Sequence, residues 1–378
     1  VTGPFTETVR AEIGRRGRVT FAEFMGWALT HPRHGYYTAG ARTGRTGDFI
    51  TNAQVPLFGE ALAEILVDMW DALGSARWTL IELGAGDGVL AERVLTALDR
   101  RGRARRVTTH LVEASPAARA AARRRLSRFG GVHLHAALAD LEHTAGVEGC
   151  VYSNEFFDAL PFHRLRGAAG GPEELFVTEG NGGLLETPGP LSDPALAALL
   201  SSAGISLEEG QETEVCPLVD AVQEELARVL ARGFVLTVDY GGAAAEVHHP
   251  TRARGTRRTF SHHRVGDDPF RDVGEKDITA HVDFTRLARA GEERGFRTVF
   301  YGDQGPFLLA GAEGTLRAAI EAVPSRGREV QQLVHPAAFG EKFRVLVQSV
   351  NAGGAALRFE RAARVQRLGL GAPPADRG

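Results

Sequence analysis

The sequence predicts an α/β fold in which a parallel sheet is covered by helices, with a helical cap ahead of the sheet and a subdomain inserted into it. Three observations carry that prediction. Apolar strand-like runs alternate with amphipathic helical stretches from Trp78 to Gln348, a glycine-rich turn joins the first such strand to its helix, and the pattern from Thr6 to about Leu73 is helical apart from a glycine-rich connector.

Along the chain, Phe21, Phe24, Met25 and Leu29 fall at helix spacing, and a second amphipathic stretch runs from Leu57 to Trp70, with a glycine-rich connector from Gly35 to Asn52 between them. Trp78 to Leu83 reads as a buried strand that breaks into Gly84-Ala85-Gly86-Asp87-Gly88, and Val89 to Leu98 resumes as a helix. Strands at Thr108 to Glu113, Val132 to Leu134 and Cys150 to Ser153 follow, with a helix from Pro116 to Phe129. Leu165 to Cys216 breaks the alternation with glycine-rich turns and short strand-like pieces, as an insertion would. A helix at Pro217 to Ala231 and a strand at Gly233 to Tyr240 restore the pattern. A polar loop from Gly241 to about Asp283 is long enough to suggest function. A helix at Phe284 to Arg294 and strands at Phe296 to Phe300 and Phe343 to Gln348 complete the series. The expected division is a cap over 1–73, a core over 74–350 with insertions at about 162–216 and 241–283, and a flexible tail over 351–378.

The 378 residues suit one large domain with insertions, since single cores stop growing near ~250–300 residues. A net charge of −3, with Lys276 and Lys342 the only lysines among 44 basic side chains, argues against nucleic-acid binding. The arginine runs at Arg100 to Arg106 and Arg123 to Arg125 read as solvated faces. Cys150 and Cys216 are too few and too far apart for a disulfide framework or a zinc site. No run of ~18 apolar residues occurs, and Val1 to Val19 lacks the apolar stretch of a signal peptide. The expectation is therefore a soluble, cytoplasmic protein with no membrane partner.

Glycines at 84, 86 and 88 after a strand let the backbone turn tightly and approach a ligand beside a helix N-terminus. A dinucleotide fingerprint wants Gly-x-Gly-x-x-Gly, whereas this turn is Gly-x-Gly-x-Gly with Glu82 before it and Asp87 inside it. Those carboxylates repel a pyrophosphate but tolerate a cofactor with an amino acid and a sulfonium, which favours S-adenosyl-L-methionine over NAD. Glu113, ending the next strand, is placed to accept hydrogen bonds from both ribose hydroxyls, the alternative being a cap for the helix begun at Pro116.

Asn154-Glu155-Phe156-Phe157-Asp158-Ala159-Leu160-Pro161 follows the fourth strand at the carboxyl edge of the sheet, where open α/β folds bind ligands. Two readings fit Glu155 and Asp158: they orient or deprotonate an amine or guanidinium acceptor, or they cap a helix and anchor a loop. His262, His263 and His281 are candidate general bases, and the same residues also fit plain surface or structural roles. The five histidines of this loop lack metal-ligand spacing.

With these residues placed, the chain resembles the MidA family of methyltransferases, whose mitochondrial members act as arginine methyltransferases in respiratory complex I assembly. The likeness runs from about Phe21 to about Gly314 through His31-Pro32, Gly35-Tyr36-Tyr37, Gly47 to Thr51, Phe58-Gly59-Glu60, Glu82 to Gly88, Val112 to Ser115, Asn154 to Pro161, Asp239-Tyr240-Gly241, Asp277 to Phe284, and Gln304 with Phe307-Leu308. It implies a Rossmann-like class I methyltransferase sheet with a helical cap, and a role for Asp48 and Phe49 in closing a cofactor site that includes Asn154. Two departures stand out: Thr51 to Pro56 lacks an acidic residue expected there, and His262-His263 replaces a single histidine. The resemblance implies arginine of a protein as acceptor. A small natural product, or a cofactor-binding assembly factor without turnover, are the alternatives, and a homodimer is a further expectation.

Overall fold

The computed structural model describes residues 3–38, 51–144, 146–261, 264–354 and 356–362. Helix α1 (Pro4–Arg16) opens on a proline, whose fixed φ suits a first helical turn, and stops at Gly17. Strand β1 (Val19–Thr20) leads into α2 (Phe21–Thr30) through a capping box in which Thr20 Oγ1 accepts from Glu23 N and Glu23 Oε2 accepts from Thr20 N. Helix α3 (Pro56–Leu73) begins on another proline and ends at Gly74, left-handed at φ 68°. Its Leu62, Ile65, Leu66, Met69 and Trp70 are all buried, at roughly 1.5–3 kcal/mol each, so this helix is part of the main core rather than a detachable cover.

The alternating series is β2 (Trp78–Leu83), α4 (Val89–Arg100), β3 (Val107–Val112), α5 (Pro116–Arg125), β4 (Val132–His135) and β5 (Val147–Asn154). An inserted unit follows, made of β6 (His163–Arg166), β7 (Glu173–Gly180), β8 (Gly183–Gly189), α6 (Ala195–Ser202) and β9 (Glu212–Val215). The chain returns through α7 (Leu218–Val229) and β10 (Leu230–Gly242), then α8 (Ala244–Val247), β11 (Arg258–Ser261), β12 (Arg264–Gly266), β13 (Asp277–Thr279) and β14 (Val282–Asp283). It finishes with α9 (Phe284–Glu292), β15 (Arg297–Asp303), α10 (Gln304–Gly311), α11 (Glu313–Ala322), α12 (Pro324–Val334) and β16 (Phe343–Val350).

The main sheet runs β15-β16-β10-β5-β2-β3-β4, with β14 beside the end of β10. Strands β10, β5, β2, β3 and β4 are mutually parallel, and β16 is antiparallel to both neighbours. From β2 the chain moves outward to β3 and β4, then crosses back to β5 and β10. The strand order therefore reverses between β2 and β5, and their carboxyl ends flank the crevice in which an open α/β sheet holds its ligand.

Helices α3, α4 and α10 to α12 cover one face of the sheet, and α7 and α9 the other. Helices α1 and α2 join a separate apolar cluster with Phe162 and with Val177 of the inserted sheet, where β1 pairs antiparallel to β7. Two regions differ from expectation. The 241–283 stretch is not an unstructured polar loop: β11 pairs with β12 and β13, and Phe270, Val273 and Ile278 pack against α1 and α2. Its three- and four-residue strands are too short for a period to show among arginines, histidines and glycines. The helices α10 to α12 give no clean signal either, because α10 is apolar all round and α12 is largely polar. No helix among the described residues is long and apolar enough to cross a membrane.

Candidate functional site

The glycine turn sits at the carboxyl end of β2, with Gly84, Gly86 and Gly88 at φ 65°, 53° and 78°, conformations that side chains with a Cβ rarely adopt. Gly84 N and Ala85 N both donate to Val112 O at 2.9 and 3.2 Å, pinning the turn to the end of β3. A Cβ on Gly84 would lie 2.9 Å from Phe156 Cδ2, so this glycine is needed for close packing. A Cβ on Gly86 would meet nothing within 4 Å. Packing does not demand that second glycine, and an open face beside a helix N-terminus is what a cofactor lying on the turn requires.

Glu113 reaches this same face. Its Oε2 accepts from Gly86 N at 2.8 Å and its Oε1 from Ser115 N at 2.7 Å, leaving each oxygen a further lone pair for a ligand hydroxyl. Ser115 itself caps α5, accepting from Ala118 N, so the cap role considered for Glu113 belongs to its neighbour. Glu82 is buried and accepts from Tyr152 Oη at 2.8 Å. Burial pushes its carboxyl up to about 8, and the charges of Asp87 and Glu113 add to the push. Asp87 pairs with Arg125 at 2.6 Å, which ties the turn to α5.

At the end of β5, Glu155 has a left-handed φ of 54° without being a glycine. The surroundings over-determine it. Glu155 N donates to Val238 O, Phe156 N and Phe157 N donate to Asp239 Oδ2 at 3.1 and 2.9 Å, and Glu155 Oε1 accepts from Asn154 Nδ2 at 2.7 Å and Asn52 N at 3.2 Å. Asn52 is held in turn by Gln304, whose Nε2 also donates to Leu333 O. Asn154 therefore faces Glu155 and Asn52, on the strand end next to β2.

Buried Asp158 and Asp239 complete an acidic group with half-buried Glu155. Burial pushes Glu155 up to about 8 and Asp239 to about 7, and it raises Asp158 well above the carboxylate range, with the charges of Asp239, Glu155 and Asp277 adding to the effect. Asp277 accepts from Tyr37 Oη at 2.7 Å. Glu155 Oε2 is buried without a hydrogen-bond partner, and no arginine or lysine among the described residues forms an ion pair with Glu155, Asp158 or Asp239. Tyr240, its ring tilted at 34° to that of Phe343 with centroids 4.2 Å apart, is kept neutral by burial and by the charges of Glu155, Asp158 and Asp239.

The other sequence candidates separate from this group. His281 lines a cavity on the far side of Asp158, where burial pushes its imidazole down to about 4, a poor proton acceptor at neutral pH. Asp48, Phe49, His262 and His263 lie outside the described residues. No group of three or more potential ligands among the described residues is arranged to hold a metal ion. Asp239, Tyr240, Asn52 and Gln304 were not singled out as site residues from the sequence. A carboxylate at the end of a buried strand, as in Val238-Asp239-Tyr240, was the available signal for the first two.

These raised values carry a pH consequence. Glu82, Glu155 and Asp239 hold their protons in the fold at pH values where an unfolded carboxyl, near ~4, has released them. The native state thus binds more protons than the unfolded one above about pH 4.5, so stability falls as pH rises through about 7 to 8. The cofactor-free protein should show a lower midpoint of urea unfolding at pH 8.5 than at pH 6, and a flat profile would contradict the burial of these groups.

Comparison with known proteins agrees with this geometry. A family model described as "Putative S-adenosyl-L-methionine-dependent methyltransferase" matches residues 61–302. A Burkholderia thailandensis protein crystallised with S-adenosyl-homocysteine is 32% identical, with a TM-score of 0.85 over 96% of this chain and 97% of that one. The mitochondrial protein arginine methyltransferase NDUFAF7 of Rattus norvegicus is 30% identical over 77% of this chain and 70% of its own length. Its Drosophila melanogaster homolog is 29% identical over 91% and 84%. The cofactor is S-adenosyl-L-methionine, and the glycine turn with its open face fits it. The chain belongs to this family of S-adenosyl-L-methionine-dependent methyltransferases, the MidA-like family that its sequence blocks resemble.

Proposed function

We propose that this enzyme methylates a guanidino nitrogen of arginine in a protein partner. The observation that carries the reading is the set of half-buried Glu155 with buried Asp158 and Asp239, three acidic side chains whose ionisation burial and one another's charges oppose, with no cationic partner among the described residues and with Glu155 Oε2 unmatched. A buried group of this kind is relieved by a cation, and a planar guanidinium offers five N–H donors to carboxylates in a fixed fork. The curated relatives named as protein arginine methyltransferases support the same class.

The cofactor, when bound, supplies a methyl carbon activated by a positive sulfur. Glu113 would hold the ribose hydroxyls beside Gly86, and Glu82 and Asn154, at the ends of β2 and β5, would help hold the rest of the cofactor. Glu155 and Asp158 hold the guanidinium and concentrate its positive charge away from the nitrogen that is methylated. As the N–C bond forms and the C–S bond breaks, that nitrogen sheds its proton, which passes to one of the two carboxylates and then to water. A carboxyl pushed up toward 8 is better matched to this task than an ordinary one.

The test is methyl transfer from labelled cofactor to matched peptides carrying arginine or lysine, using the complete chain. Label should enter arginine at least tenfold faster than lysine and should survive in methylarginine after hydrolysis. Transfer to lysine alone, or to neither, would remove arginine as the acceptor.

A further inference from the structure

A half-enclosed cavity of about 50 Å³ lies behind the carboxylate group, between the inserted unit and the main sheet. Asp158 is shared between the two, and Phe157 of the same loop lines the cavity as well. The wall is mostly apolar: Leu160, Phe162, Leu199, Leu200, Val215 and Val219. Several of the polar residues along it are engaged by other protein groups, although Glu214 Oε1 is buried without a hydrogen-bond partner, 3.5 Å from Arg164 Nε. His248 Nδ1 meets Thr213 Oγ1 at 2.6 Å and His248 Nε2 meets Asp283 Oδ2 at 3.3 Å. Asp283 also caps α9, Glu214 Oε2 accepts from Thr256 N and Oγ1, and Arg286 is bound by Asp220. What remains for an occupant is mainly apolar contact, with a net acidic rim that disfavours an anionic one.

Position fixes what that occupant is. A group in this cavity sits within one residue's reach of whatever Glu155 and Asp158 hold, because Asp158 belongs to both. Size narrows it further: an apolar cavity of ~150 Å³ accommodates benzene, so about 50 Å³ takes two or three carbons. We propose that the cavity behind Asp158 is a subsite for a small aliphatic side chain, of the size of valine, beside the methylated arginine in the acceptor protein. The inference rests on the arginine reading above and adds to it a sequence preference, set jointly by the inserted unit through Leu199 and by the core through Val219.

The test compares arginine peptides with valine or glycine at each neighbouring position, in the parent and in two cavity-filling variants, Leu199→Trp and Val219→Phe. In the parent, valine at one of the two positions should lower KM by roughly tenfold relative to glycine, the usual worth of a small apolar contact in a pocket. In either variant the preference should collapse while the glycine peptide keeps its KM and kcat. Equal KM values for valine and glycine peptides in the parent, or a preference that survives filling, would overturn the subsite. Xenon titration followed by NMR separates the two levels. Xenon entering the parent and excluded from the variants, with no peptide methylated, supports the cavity and overturns arginine as the acceptor, whereas no xenon entry overturns the cavity whatever the acceptor.

Discussion

Replacing Glu155 by Gln should lower kcat for arginine methylation by ~10²–10⁴, the usual worth of a positioned acid or base, while leaving cofactor affinity within about twofold. Glutamine keeps the shape and one carbonyl oxygen, so it can still accept from Asn154 Nδ2 and Asn52 N and hold the left-handed backbone at this position. What it removes is the negative charge that steadies the guanidinium and the oxygen able to take its proton. The same substitution relieves a buried carboxyl that burial has pushed up to about 8. Above pH 8 the variant should therefore be more stable than the parent, because it has no carboxyl to ionise at this site. Activity falling while stability rises is the signature of a residue kept for chemistry, because a structural carboxylate would lose both. Single-turnover methylation and urea unfolding at pH 8.5 measure the two arms, and a variant with parental kcat would remove Glu155 from the reaction.

Most of the main sheet was legible because its central strands are short apolar runs, several of them followed by a helix of clear period. Trp78 to Leu83 and Phe343 to Gln348 fall within one or two residues of the observed strands. Where an element is not amphipathic, or is three residues long, the same reasoning fails, which is why α10 to α12 and the small sheet at β11 to β13 went unseen. Membership of a core is a different matter from secondary structure. Helices α2 and α3 read alike in the sequence, yet α2 packs on the inserted sheet and α3 on the main one. That outcome depends on β1 pairing with β7, Val19 opposite Val177, a contact between residues far apart in the chain that no local pattern announces.

The candidate site divides along the same line. Glu82, the three glycines and Glu113 follow strand ends, so the sequence places them. The link from Asn52 through Gln304 to Leu333 O joins three separate segments and became visible only in three dimensions. It also gives physical content to the altered segment from Thr51 to Pro56. The carboxylate that was expected there is missing, but Asn52 supplies a backbone N–H to Glu155 and a side chain to Asn154, so this segment braces the acidic group instead of adding to it. His281 was open to either a base or a structural role. Its position between two aspartates suggested a base, whereas its surroundings make it a neutral wall of the neighbouring cavity.

The second large effect belongs to the cofactor. Glu113→Ala should weaken S-adenosyl-L-methionine binding by about 100-fold or more, since hydrogen bonds to a charged carboxylate are worth roughly 1.5–3 kcal/mol each and two ribose hydroxyls are at stake. Part of the loss comes from the protein itself, because Gly86 N and Ser115 N lose their acceptor and the turn loses a tie that shapes it before any ligand arrives. Gly86→Val separates these contributions. It leaves Glu113 in place but sets a branched side chain on the open face, at a φ of 53° that valine resists, so it should also abolish binding while Glu113 still anchors Ser115. Calorimetry with S-adenosyl-homocysteine on the parent and both variants distinguishes the outcomes. Loss in both variants places the cofactor on the face formed by Gly86 and Glu113. Loss in Gly86→Val with parental binding in Glu113→Ala would mean that the turn holds the cofactor without a carboxylate on its ribose, and would remove Glu113 from the cofactor site.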